Sequence, residues 1–207
     1  MWERIERDTG QDQLPPPFWA FPWAGGQALA RYLLDQPDCV RGRVVLDLAS
    51  GSGLVAIAAA AAGAASVTPS DTDPLAVAAI TLNAGVNRVR LRPTVGDLLS
   101  APGPGEPGAE ESCSEEPGPG EPGHKAGAPV RADVVLAGDA FYDRDMAGLM
   151  LPFLERASQA GALVLVGDPG RAYLPRERFA QVATYDVPVE RVIEDADVKP
   201  STVWRLR

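Results

Sequence analysis

The stretch Val44-Val45-Leu46-Asp47-Leu48-Ala49-Ser50-Gly51-Ser52-Gly53 constrains the fold more than any other, because it prescribes a buried strand, a sharp turn and a helix in succession. An uninterrupted apolar run reads as a strand covered on both faces of a parallel sheet. Gly51 and Gly53 let the backbone turn sharply and bring a ligand against main-chain N–H groups at a helix N-terminus. The small-residue run over 54–65 supplies that helix as a buried one. Asp47, near the strand's end, adds a carboxylate within reach of a ligand ammonium. A strand-glycine-helix turn of this kind favours nucleotide-like ligands at the carboxyl edge of a parallel sheet.

The signals that follow extend the unit. Gly63 is placed to stop the helix, and Ala65-Ser66-Val67-Thr68-Pro69-Ser70 reads as a short strand ending at Asp71. Asp71 lies 24 residues beyond Asp47, about where a nucleotide-binding unit places an acid on the ribose hydroxyls. Asp73-Pro74 starts a helix, with aspartate as N-cap and proline at the first helical position. Leu75, Ala78, Ala79 and Leu82 are expected to form its apolar face. Residues 91–95 give a weak third strand, demoted by Pro93, that ends at Gly96-Asp97. Asp97 either sits beside an adenine ring or caps the following turn. A short apolar strand over 132–138 ends at Asp139, and Phe141 and Tyr142 follow at its carboxyl end. A carboxylate beside two aromatics can hold an amine. Residues 149–154 belong to a helix, and 161–171 form another buried strand ending in a polar loop. Two strand-like runs, 182–192 and 202–206, suggest an antiparallel hairpin that closes an otherwise parallel sheet.

Two segments stand apart. Residues 14–36 join a proline-punctuated aromatic strap, carrying Trp19 and Trp23, to a helix that ends before Pro37. The strap packs the helix on the sheet, walls the ligand cleft, or does both. Residues 101–129 hold seven prolines, seven glycines and six glutamates against one lysine. With almost nothing to bury, this insertion is expected to be disordered.

The 207 residues allow one domain, 1–207, with a substantial core. A formal charge of −9 argues against a nucleic-acid surface. No apolar run has membrane-spanning length, and the polar start, 1–10, lacks the core of a signal peptide, so a cytoplasmic, monomeric protein is expected. Two cysteines are too few for a disulfide framework or zinc site, and the one histidine, His124, falls inside the insertion. No metal site is expected.

Asp47-Leu48-Ala49-Ser50-Gly51-Ser52-Gly53, the acid at Asp71 and the hairpin-like tail resemble the class I, seven-stranded S-adenosylmethionine-dependent methyltransferases. Pro17-Phe18-Trp19-Ala20-Phe21, Gly138-Asp139-Ala140-Phe141-Tyr142-Asp143, Gly167-Asp168-Pro169-Gly170-Arg171 and Ser201-Thr202-Val203-Trp204 narrow the resemblance. Together they resemble the electron transfer flavoprotein β-subunit lysine methyltransferase family. The resemblance implies an α/β fold with a Rossmann-like seven-stranded sheet, mostly parallel with an antiparallel C-terminal hairpin, and helices on both faces. It implies S-adenosylmethionine as donor and lysine side chains of a protein as acceptor, either the electron transfer flavoprotein β subunit or a ribosomal protein.

On that resemblance the donor site would comprise Trp23, Asp47, Gly51, Gly53, Asp71 and Asp97. Catalytic roles would fall to Asp139, Phe141 and Tyr142, and substrate contacts to Trp19 and Trp204. The chemistry is chiefly approximation, because the methyl carbon of a sulfonium is already activated. The difficulty is lysine, whose ordinary pKa of about 10.4 keeps it protonated. An aromatic channel and a nearby sulfonium both lower that pKa. Asp139 would orient the amine, although an isolated carboxylate there would also favour the unreactive ammonium. Three other readings compete: a small-molecule N-methyltransferase acting on a nicotinamide-like amine, a nicotinamide-dinucleotide enzyme, and a binding module that retains the fold. Gly51-Ser52-Gly53-Leu54-Val55-Ala56 approximates the dinucleotide fingerprint, but Asp47 and the hairpin-like tail argue against it.

Overall fold

The computed structural model describes residues 17–100 and 131–207. The insertion over 101–129, the polar start and the first residues of the strap lie outside the described residues. Among the described residues seven strands form one sheet in the order β3-β2-β1-β4-β5-β7-β6. They are β1 (Val44–Leu48), β2 (Ser66–Asp71), β3 (Thr94–Val95), β4 (Val134–Gly138), β5 (Leu163–Asp168), β6 (Phe179–Pro188) and β7 (Val198–Leu206). The first five are mutually parallel, and β7 runs antiparallel between β5 and β6. The mostly parallel α/β sheet and antiparallel tail agree with the sequence expectation.

Helices α1 (Ala24–Asp35), α2 (Leu54–Ala61), α3 (Pro74–Val86), α4 (Arg144–Gln159) and the short α5 (Arg191–Glu194) complete the fold. The core lies in two layers. Leu29 and Leu33 of α1, Ala56 of α2, Val45, Leu136 and Val203 fill one face. Met150 and Leu154 of α4 fill the other with Leu46, Phe141, Val166 and Phe179. Successive strand residues point to opposite faces, which explains how Val45 and Leu46 serve different layers.

The seam between α1 and the sheet is made of backbone. A Cβ on Gly25 would stand 2.4 Å from the Gly167 carbonyl oxygen, and one on Gly167 would stand 2.0 Å from the Gly25 oxygen. A Cβ on Gly138 would meet Gly26 Cα at 2.9 Å. Helix α1 therefore starts directly against the ends of β4 and β5. The register sets Gly138 opposite Gly167, so both glycines face the same helix.

Three local expectations need correction. The third strand shrinks from 91–95 to Thr94–Val95, because Pro93 has no N–H to give the ladder. Before it, Arg92 alone reaches β2, donating its N–H to Val67 O at 3.0 Å. The tail's first strand runs over Phe179–Pro188 rather than 182–192, and Arg191–Glu194 turns helical between β6 and β7. Finally, α3 is rotated relative to the expected face. Ala76, Ile80 and Ala84 are buried, whereas Leu75 and Leu82 are 44% and 71% exposed. No residue from Pro74 to Val86 is charged, so the sequence offered no polar stripe to orient the helix. Its orientation is fixed by Ile80, which sits 3.2 Å from where a Cβ on Gly53 would be.

Candidate functional site

The order of strands reverses between β1 and β4: the chain leaves β1 toward β2 and leaves β4 toward β5. At the carboxyl ends of β1, β2, β3 and β4 lies a cleft of about 370 Å³, where an open α/β sheet takes its ligand. Its walls include Leu48 and Gly51 at the end of β1 and in the turn beyond, Asp71 and Asp73 at the end of β2 and beyond it, and Gly96 and Asp97 after β3. Asp139 and Tyr142 after β4, with Trp19, Trp23 and Phe18 of the strap, close the other side.

The turn after β1 alternates through the left-handed region, with φ of 48° at Ala49, 56° at Gly51 and 83° at Gly53. Its geometry is held by acids. Asp71 accepts from the Gly51 N–H at 2.8 Å through one oxygen and from the Asp73 N–H at 3.0 Å through the other. Each oxygen retains a lone pair for a further donor, so two vicinal hydroxyls can be taken at once. Asp47 lies behind the turn rather than in the cleft wall. Its Oδ2 accepts from the Ser50 hydroxyl and from the Ala56 N–H of α2, while Oδ1 is buried without a partner. Burial raises its pKa to about 7 against these bonds, and the Asp71 charge adds to the rise. Asp97 caps its own turn, accepting from Leu99 N and Ser100 N, and is held below the usual carboxylate range by the Ser100 bonds foremost. It also lines the cleft, so capping and a place beside a ligand ring are compatible.

The strap folds over this floor. Residues Phe18–Ala20 form a single 3-10 turn, and Trp23 Nε1 donates to Phe18 O at 2.7 Å. The Phe18 ring lies 6.0 Å from Trp23 and 5.5 Å from Tyr142, so the three rings make one wall. Trp19 crosses the glycine turn, with its Cα 3.6 Å from where a Cβ on Gly51 would stand. Its Nε1 is buried without a partner.

Asp139, at φ 61°, carries the far wall. One carboxylate oxygen accepts from the Gly25 N–H at 2.9 Å at the start of α1, and the other accepts from Arg171 Nε at 2.6 Å. Arg171 also donates to Glu194 at 2.9 Å, and Glu194 pairs with Lys199. The Arg171 guanidinium stands 5.8 Å from the Trp23 ring centre. Four charges of alternating sign thus link β4, the loop after β5, α5 and β7.

Of the residues expected from sequence, Trp19, Trp23, Gly51, Asp71, Asp97, Asp139 and Tyr142 meet in the cleft. Asp47 and Gly53 support it from behind. Phe141 and Trp204 do not reach it. Phe141 is fully buried in the α4 layer, edge-on to Phe179 at 6.1 Å, whereas Tyr142 lines the cleft. Trp204 sits on β7 between Val166 and Gln181 and packs against the α4 layer. Sequence reasoning assigned no site role to Phe18, Met146 or Arg171, which line the cleft. The signal for Arg171 was its place in the loop after a buried strand ending in Gly167-Asp168.

The residues fit a nucleoside carrying an amino-acid chain. The cleft has the volume, and Asp71 has acceptors for a ribose. Among the described residues no group of three acidic, cysteine or histidine side chains is arranged to hold a metal ion.

The sheet is Rossmann-like, and the chain's relatives make it a methyltransferase that uses S-adenosylmethionine, whose sulfonium supplies an activated methyl group. Magnesium protoporphyrin IX methyltransferase from Synechocystis, solved with bound S-adenosylmethionine, superposes with a TM-score of 0.54 at 13% identity, covering 100% of this chain and 91% of that one. A Pyrococcus horikoshii protein proposed to be an RNA methyltransferase gives 0.59 at 16% identity, covering 98% and 96%. The family model for ribosomal protein L11 methyltransferase (PrmA) matches residues 28–104. The chain is 35% identical to the rat electron transfer flavoprotein beta subunit lysine methyltransferase over 208 residues, 98% of this chain and 70% of the relative. The zebrafish protein of the same name is 36% identical over 196 residues, 92% of this chain and 66% of the relative. The chain belongs to the electron transfer flavoprotein β-subunit lysine methyltransferase family.

Proposed function

We propose that this chain methylates lysine side chains of the electron transfer flavoprotein β subunit, with S-adenosylmethionine as donor. The observation that carries the reading is the aromatic wall at the mouth of the cleft. Phe18 and Tyr142, each 44% exposed, lie 5.5 Å apart with tilted rings beside Trp23 and border the passage to the glycine turn. Such a passage suits the four-carbon stem of a lysine, and desolvation along it lowers the pKa of the amine.

The state of Asp139 bears on the step itself. A lone carboxylate would stabilise the ammonium and suppress attack. Here Arg171 neutralises that charge, so an oxygen of Asp139 can accept a hydrogen bond from the amine without holding its proton. Asp71 and the turn from Ala49 to Gly53 fix the donor end, and Asp139 fixes the acceptor end. Catalysis is then alignment of nitrogen, methyl carbon and sulfur.

The test is transfer of radiolabelled methyl to purified electron transfer flavoprotein, with nicotinamide as a competing small amine. Label on β-subunit lysines is the expected result. Label confined to nicotinamide would establish the small-molecule alternative. A cytoplasmic, monomeric enzyme is also part of this proposal, checked by cell fractionation and by light scattering of the purified chain.

A further inference from the structure

Helix α3 is a surface helix without a surface sequence. Its 13 residues from Pro74 to Val86 include no charged side chain, yet Leu75, Leu82 and Val86 are 44%, 71% and 82% exposed. Positions 75, 78, 82 and 86 follow the spacing of one helical face, so the exposure is a continuous stripe. Soluble proteins seldom leave such a stripe uncovered. The chain continues from α3 along the outer edge of the sheet, where Arg88, Arg90 and Arg92 are exposed at alternate positions. None of the three has a carboxylate partner among the described residues, in a protein whose formal charge is −9. Val95 of the edge strand β3 is 53% exposed beside them.

The patch adjoins the site. Asp73, which caps α3, and Gly96, which follows β3, both line the cleft. The patch reaches the cleft at this end, while Val86 and Arg92 lie toward the amino ends of the strands, so a body large enough to cover the whole patch borders the cleft mouth. We infer that this surface docks the acceptor protein, through an apolar patch on that protein bordered by carboxylates. The inference rests on the protein-acceptor reading above. Charge complementarity selects the partner's rim, and the uncharged stripe selects its centre, in the usual arrangement of an apolar core with a polar border. The acidic stretch 101–129 of this chain matches the arginines in charge but offers almost no apolar side chain to cover Leu82 and Val86.

The test compares the wild type with Leu82→Glu/Val86→Glu and with Arg90→Glu/Arg92→Glu. Methyl transfer to purified electron transfer flavoprotein, S-adenosylmethionine affinity and Tm are measured on each. The expected result is a rise of at least tenfold in KM for the flavoprotein in both variants, with kcat, donor affinity and Tm unchanged. In the wild type, raising the salt should weaken acceptor KM, and the arginine variant should lose that dependence. KM within twofold of wild type in both variants overturns the inference while the acceptor reading stands. A parallel loss of donor affinity and Tm also overturns it, because the face would then serve folding. A wild-type dimer that the leucine variant disperses, with KM unchanged, assigns the surface to a second copy. No transfer to the flavoprotein by the wild type itself removes the acceptor reading, and this inference with it.

Discussion

Asp47 shows how one buried carboxylate holds the turn beneath the cleft. It is 1% exposed, and burial lifts its pKa from an ordinary 3.8 to about 7. The folded chain therefore binds a proton that the unfolded chain has released between these values, and stability contributed by the protonated acid falls as pH rises from about 4 to about 7. Asp47→Asn removes that dependence. Its Tm relative to wild type should increase steadily from pH 4 to pH 7 and level off above, which differential scanning calorimetry across a pH series measures. A wild-type difference independent of pH would mean the acid is ionised throughout. The sequence disclosed this residue through its place before two glycines, as it disclosed Asp71 through its distance beyond Asp47. It did not disclose that Asp71 secures the turn through the Gly51 N–H, because that bond joins the end of β2 to the turn after β1 and has no local signature. The same limit explains Phe141 and Trp204. Phe141 and Tyr142 lie in the loop after β4, where no alternation tells which of them faces the ligand.

Elements were legible where pattern and punctuation agreed. Strands β1, β4 and β5 are apolar runs ended by acids or glycines, and α1 is amphipathic with a proline just beyond it. Helix α3 was legible in its start, with Asp73 as cap and Pro74 first in the helix, but not in its buried face, since a helix with no charged residue has no polar stripe to orient it. The link between elements was equally hidden. Arg171, Asp139, Glu194 and Lys199 come from four segments, and the Asp139 and Glu194 side chains are each only 3% exposed. Arg171→Met would leave both carboxylates without their shared guanidinium, at a cost of about 3 kcal/mol in stability. Urea denaturation measures it. Combining Arg171→Met with Glu194→Gln should recover part of the loss, since one of the stranded charges is then gone. Strict additivity of the two substitutions would mean the pair is not coupled.

For the whole molecule, the cleft lies where the sheet's strand order reverses, and every wall of it comes from an element separated in sequence from the next. The parallel half of the fold follows from repeated strand-helix patterns, which is why it was readable. The tail, with its long hairpin and short α5, depends on tertiary pairing and was readable only in outline. Removing residues 103–127, which contribute hardly any apolar side chains, is expected to keep Tm within a few degrees and donor affinity within twofold. Thermal melts and calorimetric titration check both. The seam of Gly25, Gly138 and Gly167 has a different bearing on engineering. It leaves no tolerance between α1 and the sheet, so a single added methyl at Gly167 acts on the helix as a wedge. The helix begins at Trp23 and the Gly25 amide, and displacement of that end tilts the aromatic wall and unhooks Asp139 together. Gly167→Ala, a substitution with no atom in the reaction, should therefore lower Tm and slow methyl transfer in step, and the spacing of two backbones would set the rate of a chemistry neither performs.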